Sequence, residues 1–419
     1  MKLALLTTRL FDEARSGGEI CTARLAAALR DGQHEVVRIG RGPVGVAPGD
    51  VRIGPLVPAF DELPWAQRLL SVGQALAAGA PCTVHRLAAG GATQRAERAL
   101  DARCGDGADA VIVDHLQAHV WLHGSAERLP RLLVMHNLES DGYLEQAHRL
   151  RLDMPAAMLR RCVLQRESRG LRRLEDEALA RAAVVACLSE DDAHRLRERL
   201  PSGNRVPIEV LPGFPMAEPL PPPRPAPDGH RRIGLIGTWT WGPNRDALRW
   251  MLDEVLPRLP AACRVVIAGT GLDGLALPPG VQNLGRVEHA RCLHADVDLL
   301  AVPSLHGSGV QEKAIEAIGT GRPVIASAHA LRGLGALLPP QVHAARDADG
   351  FARLCAQVPL TSANAPDGPA QARSALALWV TARRMLYAAA LARCLDALQA
   401  AGRSEEPSSR RRPSMRPAQ

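Results

Sequence analysis

Residues 303–327 read PSLHGSGVQEKAIEAIGTGRPVIAS, from Pro303 to Ser327. The run Asp298-Leu-Leu-Ala-Val302 before it predicts a buried strand that ends near Pro303, and Gly307 and Gly309 mark a loop. A helix is predicted from about Val310, stopped by Gly319 to Gly321 before a second strand, Pro323-Val-Ile-Ala326. Strand, glycine-rich loop, helix, strand is the repeating unit of a parallel sheet. The glycines let backbone N–H groups approach a ligand, and a helix N-terminus offers partial positive charge to a diphosphate. Lys313 falls in the first helical turn and adds a full charge. Glu316, three residues on, shares its face and can accept hydrogen bonds from ribose hydroxyls. On residue types alone, a plain crossover turn with a surface Lys–Glu pair fits the same letters equally well.

The alternation continues on both sides. Toward the C-terminal half it includes Ile233–Ile236, a helix over Asp246–Leu256, Arg264–Ala268 and Val281–Leu284. In front of it, Lys2–Thr7 predicts a strand that leads through Ser16-Gly17-Gly18 into a helix over Glu19–Arg30, with Ile20, Leu25, Ala28 and Leu29 on its apolar face. Glu35–Ile39, Ala110–Val113, Leu132–Met135 and Val184–Leu188 read as further buried parallel strands. Val44 to Pro81 is poorly patterned. Between the halves lies Pro212 to Pro227, with PLPPPRPAP at its centre, a stiff linker that excludes helix and central strand. The expected fold class is therefore α/β, with two Rossmann-like doubly wound domains facing across a cleft. An N-terminal domain over 1–211 is followed by a linker over 212–230 and a second domain over 231–368. A helix over 369–402 packs back toward the first domain, and 403–419 forms a disordered basic tail.

The chain has 419 residues, 46% hydrophobic and 23% charged, enough for two globular domains. Its basic residues are almost all arginine; Lys2 and Lys313 are the only lysines, so Lys313 stands out against the bias of the whole chain. The net charge is +7, of which +3 comes from five arginines against Glu405 and Glu406 in the tail. No RNA- or DNA-binding motif accompanies this modest excess. The nine cysteines include no C-x-x-C pair, which argues against a zinc site or disulfide framework and for a reducing compartment. The N-terminus lacks the apolar length of a signal peptide, and no run approaches the ~18 apolar residues of a membrane span. The expected location is the cytoplasm, with peripheral contact on the inner face of a membrane as an option.

The Pro303–Ser327 segment resembles the donor-binding motif of glycosyltransferase family 4, the group 1 glycosyltransferases of GT-B fold. The family's closing E-A-x-A-x-G-x-P-V pattern corresponds to Glu316-Ala-Ile-Gly-Thr-Gly-Arg-Pro-Val324. IGTWTWGPN, Ile236 to Asn244, is similar to the W-x-P-N signature of one branch. VVIAGTG, Val265 to Gly271, and NLGRV, Asn283 to Val287, follow in the family's order, and SGGEICTARLAAALRDGQHEV, Ser16 to Val36, is similar to its N-terminal Gly-Gly loop. The resemblance covers nearly all of residues 1–350.

It implies a retaining hexosyltransferase that moves sugar from a nucleotide-diphosphate donor to a glycan, lipid-linked or small-molecule acceptor. No metal or other cofactor is expected. The implied donor site comprises Gly17, Gly18, Gly237, Asn244, Gly269, Arg286, Val287, Gly307, Ser308, Gly309 and Val310. His136, at the end of Leu132–Met135, Lys313 and Glu316 are the implied catalytic residues. Glu316 matches the second glutamate of the family's E-x7-E pattern, while Ser308 stands where the first, sugar-contacting glutamate falls. The Thr238–Asn244 loop lacks the Arg and Lys many members set against the diphosphate, and Lys313 is expected to supply that charge.

For Asp114-His115 the structural reading ranks above a role in shaping the acceptor site. Trp239 and Trp241 are expected to pack, and Asn244 to cap the next helix. His34, His294 and His306 lack ligand-spaced partners. The arginine-rich stretch His148–Arg181 reads as a solvated face, with an anionic lipid surface as its alternative. Two other functions stand beside transfer: a nucleotide-sugar epimerase, which calls for a denser set of catalytic acids and histidines, and a non-catalytic nucleotide-sugar-binding scaffold.

Overall fold

The computed structural model describes residues 1–43, 49–58, 60–105, 107–150, 155–201, 203, 205–226, 228–307, 309–360 and 370–404. Ser308, Pro227 and most of the C-terminal tail lie outside the described residues.

The first domain runs β1 (Lys2–Thr7), α1 (Gly17–Asp31), β2 (Glu35–Arg41), β3 (Val51–Gly54), α2 (Trp65–Ala77), α3 (Cys82–Ala88), α4 (Ala92–Gly105) and β4 (Ala110–Asp114). It continues with β5 (Arg131–Met135), α5 (Glu139–Arg149), α6 (Pro155–Ala180), β6 (Val184–Cys187), α7 (Glu190–Arg199) and β7 (Ile208–Val210). The second domain runs β8 (Arg231–Thr238), α8 (Gly242–Trp250), β9 (Cys263–Thr270), β10 (Val281–Asn283), α9 (Ala290–Asp296), β11 (Leu299–Val302), α10 (Glu312–Gly319), β12 (Val324–Ser327), β13 (Val342–Ala345) and α11 (Ala348–Gln357). A 35-residue helix, α12 (Ala370–Ser404), follows.

Each domain is one parallel sheet. The strand orders are β3-β2-β1-β4-β5-β6-β7 and β10-β9-β8-β11-β12-β13. Central strands such as β4 and β5 are buried at every position, because helices cover both faces and leave no side for polar residues. Chain direction across each sheet reverses once, between β1 and β4 in the first and β8 and β11 in the second. Ligands of open parallel sheets bind outside the carboxyl ends of strands at such reversals. The loops opening α1 and α10 leave from those points.

Two apolar clusters pack on opposite faces of the first sheet. One holds Leu6, Val113 and Leu133; the other holds Leu5, Leu25 and Val134. Into the second go Tyr387, Leu391, Cys394 and Leu398 of α12, while Leu376 and Trp379 near its start join the second domain's core. α12 thus straps the domains together. Its buried Arg383 donates to the Gly213 and Leu334 carbonyls. By length and composition Ala370–Arg403 is one helix apolar enough to cross a membrane, although Arg373, Arg383, Arg384 and Arg393 interrupt its apolar run. In the fold one face of it serves as core.

Strand positions read from the sequence fall on strands. β3, β7 and β13 were not predicted; they are three- or four-residue edge strands, too short for a periodic signal. α10 begins at Glu312 rather than Val310, because Gln311 is still extended at φ −85°, ψ 91°. The helix expected over Asp246–Leu256 starts earlier, at Gly242, and becomes a π turn at Met251–Val255.

Candidate active site

The first domain contributes three strand ends. A capping box fixes the start of α1: Ser16 Oγ accepts from Glu19 N at 3.3 Å and Glu19 Oε2 from Ser16 N at 3.0 Å. Gly17 and Gly18 form its first turn. A β-carbon on Gly17 would lie 3.3 Å from Glu312 Cβ, and one on Gly18 3.0 Å from His115 Cε1. These glycines therefore admit protein groups closely, from the second domain in one case and from β4's end in the other.

Asp114, fully buried at the end of β4, accepts from Thr22 Oγ1 at 2.5 Å and lies 2.7 Å from His136 Nε2. Burial pushes its carboxyl up, but the His136 and His115 imidazoles and the bonds from His136 and Thr22 outweigh that and bring it down to about 2. His115 stacks on His136 at 3.7 Å and is held at φ 70°. A left-handed histidine stores on the order of 1–3 kcal/mol of strain, a feature that clusters at functional sites. Burial also pulls the His115 imidazole down to about 3, so it is neutral. Asp114, His115 and His136 each offer a ligand atom within 4.8 Å of the others. Both Asp114 oxygens are engaged, by Thr22 and His136, while His115 joins the group by stacking on His136.

The second domain faces this relay with the loop before α10. Gly307 and Gly309 adopt φ 116° and 75°, and their carbonyls accept from Arg332 Nη2 at 2.9 Å each. A β-carbon on Gly309 would lie 2.9 Å from the His136 carbonyl. Val310 packs against the cores of both domains. Lys313 Nζ donates to Asn244 Oδ1 at 2.7 Å, and burial pulls its ammonium down to about 8. Asn244 Nδ2 bonds the Thr238 carbonyl at 3.0 Å. Glu316 accepts from Met216 N at 3.4 Å, and burial raises its carboxyl against the opposing effect of Arg24. Gly237 and Gly269 pair across β8 and β9, where a β-carbon on Gly269 would overlap the Gly237 carbonyl. Gly285 accepts from Gly269 N at 2.8 Å, which sets the half-buried Val287 and exposed Arg286 beside that pair.

Three expectations change. Asn244 does not cap α8: Trp241 holds the cap position, and Asn244 lies inside the first turn with its amide committed to Lys313 and Thr238. Trp239 is buried and donates to the Ala268 carbonyl, but Trp241 packs only in part, 41% exposed with its ring edge 3.6 Å from where a β-carbon on Gly307 would lie. Arg245, just past the Thr238–Asn244 loop, folds back to donate to the Thr240 carbonyl at 2.8 Å, so a guanidinium does flank that loop.

The sequence reading missed Thr22, Arg24 and Glu312. Arg24, 1% exposed, donates through Nη1 and Nη2 to the two Glu312 oxygens at 3.1 and 2.8 Å, and through Nε to the Phe214 carbonyl at 3.0 Å. Cys21 Sγ adds a contact to Glu312 at 3.2 Å. This buried ion pair joins α1 to α10 across the cleft. The available signal was the i, i+4 pair Glu312 and Glu316, which lays two carboxylates on one face of α10. Among the described residues His34 meets the N-terminal amine and His306 meets Asp246 at 2.9 Å.

Residues 230–358 match the family described as glycosyl transferases group 1. No curated protein is significantly similar in sequence. Solved structures resemble the chain over almost its whole length. Sucrose-phosphate synthase from Thermosynechococcus elongatus matches with TM-score 0.62 and 16% identity over 96% of this chain and 99% of that one. OtsA matches with TM-score 0.57 and 12% identity over 94% and 99%. HepE from Anabaena, solved with UDP and glucose, matches with TM-score 0.56 and 14% identity over 94% and 99%. At these identities the likeness establishes the fold: the chain has the GT-B architecture of glycosyltransferases, with a group 1 domain in its second half.

Proposed function

We propose that the protein is a retaining glycosyltransferase that moves a hexose-type sugar from a nucleoside diphosphate donor to a glycan, lipid-linked or small-molecule acceptor. One observation carries this reading. Inside the group 1 domain, the chain's one internal lysine is half-buried at the start of α10 beside Glu316, and the Thr22–Asp114–His136 relay meets the same loop from the other domain.

In this reading the donor diphosphate lies against the α10 N-terminus and the backbone of Gly307, Gly309 and Val310, and takes Lys313 from Asn244. Charge that develops on the leaving diphosphate is stabilised by preorganised donors in a water-poor site. Glu316 accepts from the ribose, and Arg286 and Val287 border the base. Asp114 fixes the His136 ring through Nε2 and leaves its other nitrogen for a sugar or acceptor hydroxyl. The bond from the anomeric carbon to the phosphate oxygen breaks, the acceptor oxygen bonds to that carbon on the same face, and its proton passes to the departing phosphate. No metal or other cofactor takes part, and the reaction belongs in the cytoplasm.

The HepE structure contains UDP and glucose, which makes UDP-sugars the first donors to try. A thermal-shift screen of nucleoside diphosphates and their sugars, followed by donor hydrolysis and transfer assays, tests the proposal. Ligand binding raises apparent stability by mass action. Stabilisation by a nucleotide together with turnover is the expected result. Nucleotide binding with no turnover of any sugar donor would instead favour a non-catalytic scaffold, a reading that Ser308 in place of the family's sugar-contacting glutamate supports.

A further inference from the structure

The loop before α10 is held from the turn that follows β12. Arg332 ends that turn, His329–Leu331, and its Nη2 donates to the carbonyls of both Gly307 and Gly309 at 2.9 Å. His329 adds a bond from Nε2 to the Gly307 carbonyl at 3.1 Å. A carbonyl only accepts, so Nε2 carries the proton. Burial, and after it the Arg332 charge, pull that imidazole below its ordinary range, so the ring is neutral. Glycine has more backbone freedom than any other residue. Two carbonyls on one nitrogen remove that freedom from Gly307 and Gly309 at φ 116° and 75°.

The same bonds decide where the loop's donors point. A trans peptide sets its C=O and N–H on opposite sides. With the Gly309 carbonyl on Arg332, the Val310 N–H is turned away from the guanidinium. Among the described residues, no group accepts from the N–H of Gly307, Gly309 or Val310. The loop's carbonyls are thus spent and its donors are not. A charged donor on a C=O also polarises the peptide unit and strengthens its N–H.

The turn meets the first domain as well. A β-carbon on Gly333 would lie 3.1 Å from Val310 Cγ2 and 3.2 Å from Ser189 Cβ. Ser189 caps α7, and its Oγ donates to the buried Asp192 carboxylate at 2.8 Å. Burial pushes the Asp192 carboxyl up, while the Ser189 bond and the Arg332 guanidinium oppose that. Arg332 therefore stands between the glycine loop and a buried acid of the other domain, and its charge bears on both.

We propose that Arg332 is a positioning residue for the donor diphosphate: by fixing the Gly307 and Gly309 carbonyls on one nitrogen, it holds the loop's N–H groups ready for phosphate oxygens. The proposal rests on the transferase reading and adds to it a residue outside both the glycine loop and α10.

The test is isothermal titration of the full chain with UDP, or the nucleoside diphosphate that a thermal-shift screen selects, and with its nucleoside, which lacks the phosphates. Arg332→Met keeps most of the stem and loses every donor. It should bind UDP about tenfold or more weakly, while uridine affinity stays within about twofold. An arginine that only supports the fold would move both ligands together, or lower the melting temperature with both affinities unchanged. Arg332→Lys, whose nitrogen ends one bond short of Nη2, serves should the methionine variant misfold. It should lose UDP affinity by about threefold or more against the same uridine control. A folded variant that binds UDP like wild type, or one that loses UDP and uridine in parallel, would overturn the inference and leave the transferase reading standing. A wild type that binds no nucleoside diphosphate sinks the transferase reading, and this inference with it.

Discussion

Lys313 makes nucleotide affinity depend on pH in a calculable way. Burial pulls its ammonium from an ordinary 10.5 to about 8, and among the described residues it donates to the neutral amide oxygen of Asn244. At about 1.4 kcal/mol per pH unit, charging this lysine in the folded protein is about 3 kcal/mol harder than in water. A diphosphate oxygen at the same place restores the charged form, so the bound lysine titrates near its ordinary value. Below pH 8 the lysine is already charged and affinity is flat. Above pH 8 binding must take up a proton, and affinity falls toward tenfold per pH unit. UDP should therefore bind roughly tenfold more weakly at pH 9 than at pH 7.

Isothermal titration in buffers of different ionisation enthalpy reads the same event directly. Proton uptake should be near zero at pH 6.5, about 0.5 per UDP at pH 8 and about 0.9 at pH 9. Lys313→Met should bind UDP about 1.5–3 kcal/mol more weakly at pH 7, the range for a charge-assisted contact, and with no uptake. Uridine, which has no phosphate, should show no pH dependence over this span. Equal UDP affinity at pH 7 and 9 in the wild type would refute the reasoning, as would an identical decline in Lys313→Met. The same shift bears on the free protein. The unfolded lysine holds its proton up to 10.5 and the folded one only to about 8, so stability rises with pH between those values.

Arg24→Met and Glu312→Leu should each destabilise the protein by about 3–5 kcal/mol, because each strands a buried charge. The double variant should cost clearly less than the sum, and additive losses in urea unfolding would show that the pair is not coupled. Asp114→Asn should lower turnover about 100-fold through misplacement of His136 while donor affinity stays within about twofold; a pH–rate profile and donor titration separate this from general destabilisation. His136→Ala should likewise reduce transfer far more than donor binding, and normal turnover would place that histidine outside the site. Gly309→Ala sets a β-carbon 2.9 Å from the His136 carbonyl at a residue with φ 75°. It should destabilise by more than about 1 kcal/mol, and an unchanged melting curve would remove that loop from the domain contact.

The inner strands of both sheets and the segments that open α1 and α10 were legible in the sequence alone, while the edge strands β3, β7 and β13 were not. Buried parallel strands such as Val111–Val113 and Val184–Cys187 are apolar at every position, and glycine, proline and a helical period punctuate them, so these signals are local and additive along the chain. Lys313 and Glu316 were legible for the same reason, being neighbours on one helix. α2 was not legible, because Trp65, Leu69 and Leu76 point to solvent and break the rule that links an apolar stripe to a core. Tertiary structure alone decided how the halves meet. Asp114 and His136 are 22 residues apart and Arg24 and Glu312 are 288 apart; each side chain alone reads as an ordinary strand end or helix charge. Asp114 meets His136 because β4 and β5 are neighbours in one parallel sheet and end side by side, whereas Arg24 meets Glu312 only where the two domains come together, and burial there removes the water that would otherwise solvate each charge.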